Sequence, residues 1–199
     1  MAINPKALDK ANSRLRVARK ALSELAESKS REQFSDTWYT FLVATKNVYT
    51  ALEQGSKTTP QDRQWFGAKK QQRKDDELLQ YLFQARDDDE HGVEQVTEFV
   101  PGSLGIGVAE EGYSSAMRFD GMIGSGGKLK VTPLDGKPVL IEFTAPHMKL
   151  ATVTGRGNIK YPPPSTHLGQ TLQARSPEAV AELGLAYLTG LVEEAENRE

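Results

Sequence analysis

The chain predicts an α+β fold: an N-terminal antiparallel four-helix bundle, a small antiparallel β-domain and a C-terminal helix. Three observations carry that expectation. Apolar residues recur at helical spacing through the first part of the chain. After about residue 94 glycine and proline become frequent and the apolar runs shorten and alternate. From Ser176 a helical pattern returns. The expected division is a helical bundle over 1–94 and a β-domain with the final helix over 95–199.

Asn4-Pro5 opens the first helix as N-cap and first helical residue. Leu8, Ala11, Leu15, Ala18, Leu22 and Leu25 follow at alternating spacings of three and four, the pattern of a narrow bundle seam. Ser30 and Gln33 have the capping-box spacing for a second helix. Its stripe is Phe34, Trp38, Phe41, Thr45, Val48 and Leu52, stopping at Gly55. Thr59-Pro60 starts a third helix with Trp65 and Phe66, then Lys69, Lys70, Arg73 and Lys74. Asp75 or Asp76 caps a fourth, with Leu78, Leu79, Leu82 and Ala85 inward and Gly92 as the stop. Short connections make the four helices antiparallel neighbours.

Strand-like runs follow at Val96–Val100, Ser115–Ile123, Lys128–Thr132, Val139–Thr144 and Leu150–Thr154. Gly124-Ser125-Gly126-Gly127 and Leu134-Asp135-Gly136-Lys137 read as turns between them. Gly155–Gly169, with its three prolines, reads as an extended loop. Ser176-Pro177-Glu178 caps the final helix, whose apolar face is Val180, Leu183, Tyr187 and Leu191.

The chain has no cysteine, which rules out disulfides and thiolate metal sites and suits a reducing cytoplasm. No apolar run approaches the roughly 18–20 residues of a membrane span, and the N-terminus lacks a secretory h-region, so no membrane association is expected. The net charge of −2 hides an asymmetry. Residues 1–75 hold fifteen Lys and Arg against eight Asp and Glu, whereas residues 76–98 hold one Arg against eight acids. Such a contrast suits either a basic face for an anionic partner or helices that complement one another.

The most informative stretch ends the fourth helix: Arg86-Asp87-Asp88-Asp89-Glu90-His91-Gly92. A helix C-terminus carries partial negative charge, so four carboxylates there are placed against the dipole. Local rules that fail point to functional sites. Arg86-Asp87-x-x-x-His91 resembles the signature of the HEPN superfamily: an arginine, a polar residue and a histidine a few positions on, carried late in a helical bundle. The resemblance covers roughly residues 1–94; the β-rich remainder is not part of that pattern.

That resemblance implies a metal-independent endoribonuclease without cofactor, cleaving RNA through its own 2′-hydroxyl. His91 would do acid–base work, Arg86 would hold the scissile phosphate through its bidentate fork, and Asp87 would orient the imidazole. Five residues along a continuous helix rotate by about 500°, which leaves Arg86 and His91 about 140° apart. Either the helix loosens at the acidic run, or the site is composite across a homodimer two-fold, as the family typically builds it. The alternative is a non-catalytic HEPN-like interaction module, bacterial or carried on a mobile element, with an antitoxin-like or other basic protein partner. In that reading Arg86–Glu90 and Asp87–His91 are ordinary i, i+4 pairs.

Lys69, Lys70, Arg73 and Lys74 beside Trp65 and Phe66 offer a surface for RNA, or else a solvated helix face. Consecutive helical carboxylates point to different sides, so the acidic run is not read as a metal site. Gly102–Gly107 lacks the lysine and following helix of a phosphate loop. His147 and His167, in proline-rich loops with no acid nearby in sequence, read as structural or exposed.

Overall fold

The computed structural model describes residues 3–91, 95–108, 116–121, 129–136 and 138–198, the side chains of Glu90, His91 and Leu129 excepted. Among these residues the chain is α+β, with five α-helices and ten short strands. No helix among them is long and apolar enough to cross a membrane. The Gly92 stop and the Gly124–Gly127 turn lie outside the described residues.

Capping chemistry sets the helix starts, as the sequence suggests. Asn4 accepts the Lys6 amide at 3.0 Å to open α1 (Pro5–Ala26). Ser30 accepts the Gln33 amide at 3.1 Å to open α2 (Arg31–Gly55). The Gln33 side chain reaches the Lys29 amide, one residue short of the Ser30 amide that a capping box uses. Thr59 takes the Asp62 amide at 3.1 Å for α3 (Pro60–Asp75). Asp76, rather than Asp75, caps α4 (Glu77–His91), accepting the Leu79 amide at 2.8 Å. Ser176 accepts the Ala179 amide at 3.2 Å and begins α5 (Pro177–Glu196).

The strands are β1 (Thr97–Val100), β2 (Ser103–Val108), β3 (Met117–Gly121), β4 (Leu129–Pro133), β5 (Val139–Thr144), β6 (His147–Leu150), β7 (Val153–Thr154), β8 (Lys160–Tyr161), β9 (Thr166–His167) and β10 (Gln170–Thr171). They form two-stranded sheets: β1 with β6, β2 with β5, β3 with β4, β7 with β8 and β9 with β10. β2 occupies the stretch read above as a failed phosphate loop. Its alternation of Leu104, Ile106 and Val108 with Ser103, Gly105 and Gly107 is a strand period, and those apolar residues face Phe143, Ile141 and Val139 of β5. β8, β9 and the start of β10 lie in or just past the stretch expected to be a plain loop.

The chain divides into two compact units, residues 1–99 with 148–199, and residues 100–147. This differs from the boundary expected at 94/95, and burial explains why. Val96, Leu150 and Val153 belong to the same apolar cluster as Trp38, Phe41, Leu78 and Tyr81. Tyr81 also donates its hydroxyl to the Ala151 carbonyl at 2.7 Å.

The first four helices do not close a bundle among themselves either. α5 supplies Val180 and Ala181 to one apolar cluster and Leu188, Leu191, Val192 and Ala195 to a second, beside Leu15 of α1 and Val48 and Leu52 of α2. α3 buries only Asp62 and Phe66. α2 is central: its predicted stripe is buried throughout, and Leu42, Tyr49 and Ala51 widen it beyond a seam because α1, α4 and α5 all pack on it. Trp38 and Tyr81 are 1% exposed and Phe41 0%, and a fully buried side chain of this size contributes about 1.5–3 kcal/mol. Gly184 lets α5 meet α4 at bare backbone; a Cβ there would stand 2.5 Å from Leu82 Cδ1.

Candidate functional site

α4 runs as one α-helix through the acidic stretch to His91, so the backbone does not loosen between the motif residues. The positions of Arg86 and His91 therefore stay about 140° apart around the axis. The His91 side chain lies outside the described residues, and with it the expected Asp87–His91 contact.

Asp87 has other partners. Its Oδ1 receives Nζ of Lys46 from α2, and Arg86 Nη1 lies 3.3 Å away. The side chains of Lys46, Asp87 and Arg86 are 25%, 23% and 18% exposed, so the group is largely withdrawn from water. Phe83, one turn earlier on the same side of α4, gathers cations of its own. Lys46 Nζ stands 5.0 Å from its ring centroid and the Arg73 guanidinium carbon 3.7 Å. The Arg73 guanidinium carbon also lies 5.2 Å from the Tyr49 ring centroid. Burial pushes the Arg73 guanidinium below its ordinary value, opposed by the nearby Tyr49, Glu53 and Asp87. α3 thus lies beside the motif, which the sequence alone leaves open.

The acidic run is not a uniform patch. Asp88 Oδ2 accepts the Thr154 amide at 2.7 Å and so pins β7 to α4. Burial, then the neighbouring Asp88, raises the Asp89 carboxyl above its ordinary value.

The basic residues of α3 have separate fates. Lys69 donates to Glu194 of α5 at 2.6 Å, and Trp65 Nε1 donates to the same carboxylate at 2.6 Å. Burial pushes Glu194 up, but hydrogen bonds from Lys69 and Trp65 outweigh it and leave the carboxyl below its ordinary value. Lys70 pairs with Glu53 of α2 at 2.7 Å. Lys74 is exposed. Of the four, Arg73 is the one that lies against α4 near the motif, through Phe83.

Sequence reasoning missed a second constellation at the other end of α4. His167 does have an acid partner: its Nδ1 lies 3.0 Å from Asp76 Oδ1, and both side chains are at most 10% exposed. Asp76 Oδ2 also accepts the Leu168 amide at 2.6 Å, and the His167 ring meets Tyr187 edge-on with centroids 6.1 Å apart. Leu168 adopts a left-handed φ of 48° to make this turn. Glu77 Oε2 accepts the Ser165 amide and hydroxyl at 2.9 and 2.8 Å and the Thr166 amide at 3.1 Å. The one signal in the sequence was Asp76 itself, legible as a cap but not as an anchor. His147 is exposed, as expected.

A groove of about 1210 Å³ opens elsewhere on this unit, lined among others by Arg31, Asp36, Glu98, Phe99, Met148 and Lys160. The Arg31 guanidinium carbon lies over the Phe99 ring, 3.4 Å from its centroid. Neither Arg86 nor Asp87 lines that groove. Among the described residues no group of three His, Asp or Glu side chains is arranged to hold a metal ion. Compared with protein-family models, curated proteins and solved structures, the chain matches none.

Proposed function

We propose that the protein is an HEPN-like, metal-independent endoribonuclease that works as a homodimer, with Arg86, Asp87 and His91 as its chemical residues. The observation that carries the reading is the unbroken course of α4 from Glu77 to His91. A loosened helix would have let one copy bring Arg86 and His91 together. A continuous one suits a composite arrangement, in which each copy's α4 faces its mate's.

In the proposed reaction a base removes the 2′-hydroxyl proton, the 2′-oxygen bonds to phosphorus, and the bond to the 5′-oxygen breaks. The leaving oxygen takes up a proton, and a 2′,3′-cyclic phosphate remains. His91 is the side-chain type suited to proton transfer near neutral pH, and Arg86 matches the charge of the pentacoordinate phosphorus.

A second reading, a non-catalytic interaction module, draws support from the internal pairing of Asp87 with Lys46, Lys69 with Glu194 and Lys70 with Glu53. Residues committed to the fold in this way need no substrate to explain them.

The test is incubation of purified protein with structured and single-stranded RNA in EDTA, beside His91→Ala, Arg86→Ala and Arg86→Lys of matched thermal stability. Cleavage to 2′,3′-cyclic phosphate ends, lost in His91→Ala and in the arginine variants, is the expected result. Intact RNA with wild-type protein, or a monomer in solution, would turn the reading to the module.

A further inference from the structure

We propose that Lys46 and Arg73, each seated against the Phe83 ring, form a phosphate-binding site beside the motif that holds an RNA phosphate next to the one cleaved. Resting on the ribonuclease reading, the inference adds Lys46 of α2 and separates Arg73 from the other basic residues of α3, tying it to the motif on α4.

Among the described residues two carboxylates act on Arg73, and each is already engaged. Glu53 is paired with Lys70 at 2.7 Å, and Asp87 is held by Lys46 and by Arg86. Arg73 forms no ion pair among the described residues; two aromatic rings take that place, Phe83 at 3.7 Å and Tyr49 at 5.2 Å. A guanidinium stays protonated in proteins and is costly to withdraw from water without an anion, and aromatic faces compensate only in part.

Geometry supplies the rest. Phe83 and Asp87 are one helical turn apart, and Arg73 and Lys46 both lie within 5.0 Å of the Phe83 centroid, beside the motif. Contact with the ring restrains Arg73, whose planar fork suits paired bonds to phosphate oxygens. Lys46, a mobile point charge, can divide its three donors between Asp87 and a second oxygen. Cations here also offset the repulsion of a phosphate by the negative charges of the acidic run.

The probe is a fluorescent 2′-O-methyl oligoribonucleotide of about twelve nucleotides, which lacks the free 2′-hydroxyl and so reports binding without cleavage. Its dissociation constant is measured by anisotropy over a salt series. The proteins are wild type, Lys46→Gln, Arg73→Gln, Arg73→Lys and Lys20→Gln, the last a charge-matched change on the exposed side of α1. Lys46→Gln and Arg73→Gln each raise Kd about five- to tenfold and lower the salt slope by about one, while Lys20→Gln does neither. Arg73→Lys, which keeps charge but not the planar fork, falls between and guards against misfolding of the glutamine variant.

Equal affinities for Lys46→Gln, Arg73→Gln and Lys20→Gln overturn the proposal, as does a wild-type protein that binds neither this RNA nor inorganic phosphate. Binding of inorganic phosphate alone, lost in the same two variants, keeps the site and makes free phosphate its ligand. RNA binding that needs Lys46 and Arg73 without any RNA cleavage upholds the site and removes the enzyme. Cleavage that needs His91 but shows no change in affinity does the reverse.

Discussion

The two ends of α4 carry similar side chains in opposite electrostatic settings. At the N-terminus, Asp76 and Glu77 sit where the helix dipole favours negative charge, and they accept hydrogen bonds from Leu79, His167, Leu168, Ser165 and Thr166. At the C-terminus, Asp87 and Asp88 sit against the dipole. The fold brings Lys46 and Arg86 to the first and the Thr154 amide to the second. The difference separates two uses of acid. The N-terminal pair is explained by architecture, because it fastens the 165–168 segment to the helix. The C-terminal group needs imported cations, and import of charge to a disfavoured position is where a functional reading attaches.

The largest test of that contrast is Asp76→Ala. It removes a helix cap and strips His167 Nδ1 and the Leu168 amide of their acceptor in a site that is nearly closed to water. Loss of a cap costs about 1 kcal/mol and each buried donor left without its acceptor about 1–3 kcal/mol, so a total of about 3–5 kcal/mol is expected in urea unfolding. Asp76→Asn, which still caps, recovers part of it. A loss below about 1 kcal/mol would mean that the N-terminal acids do not fasten the structure, and the contrast between the two ends would collapse.

The Lys46–Asp87 contact gives a smaller effect at the other end. In a double-mutant cycle of Lys46→Met and Asp87→Asn, the coupling energy is expected at about 1–2 kcal/mol, above an exposed ion pair because both side chains are about three-quarters buried. Coupling near zero would show that Lys46 is not held by Asp87 and would free it for the phosphate role alone.

How much of this was legible in the sequence follows from distance along the chain. Asn4, Ser30, Thr59, Asp76 and Ser176 cap helices through bonds to amides two or three residues on, so local pattern finds them. Arg86 and Asp87 were visible for the same reason. His167 and Asp76 are 91 positions apart, and Lys46 and Asp87 are 41 apart; nothing local marks either pair. Lys69 and Lys70 read as a nucleic-acid face because their partners, Glu194 and Glu53, lie on other helices. β2 was legible from its alternation, but its glycines suggested a different motif.

The smallest expected effect concerns Glu77, and acid titration isolates it. Hydrogen bonds from Ser165, backbone first, and then from Thr166 hold its carboxyl below the ordinary glutamate value of 4.5. A carboxyl depressed in the folded state contributes stability that is present above its unfolded pKa and is lost as the pH falls through its folded pKa. Wild-type protein should therefore lose urea stability on going from pH 7 to below about 4, partly through this residue. Glu77→Gln keeps an acceptor for the Ser165 and Thr166 amides but has no proton to gain. Its stability is lower than wild type at pH 7, and the gap narrows as the pH falls below about 4. The side chain is exposed, so solvent screening keeps the difference small. A gap that stays constant with pH would show that the loop is held by its backbone alone. The N-terminal acids would then reduce to Asp76, and the comparison of the two ends would rest on that residue.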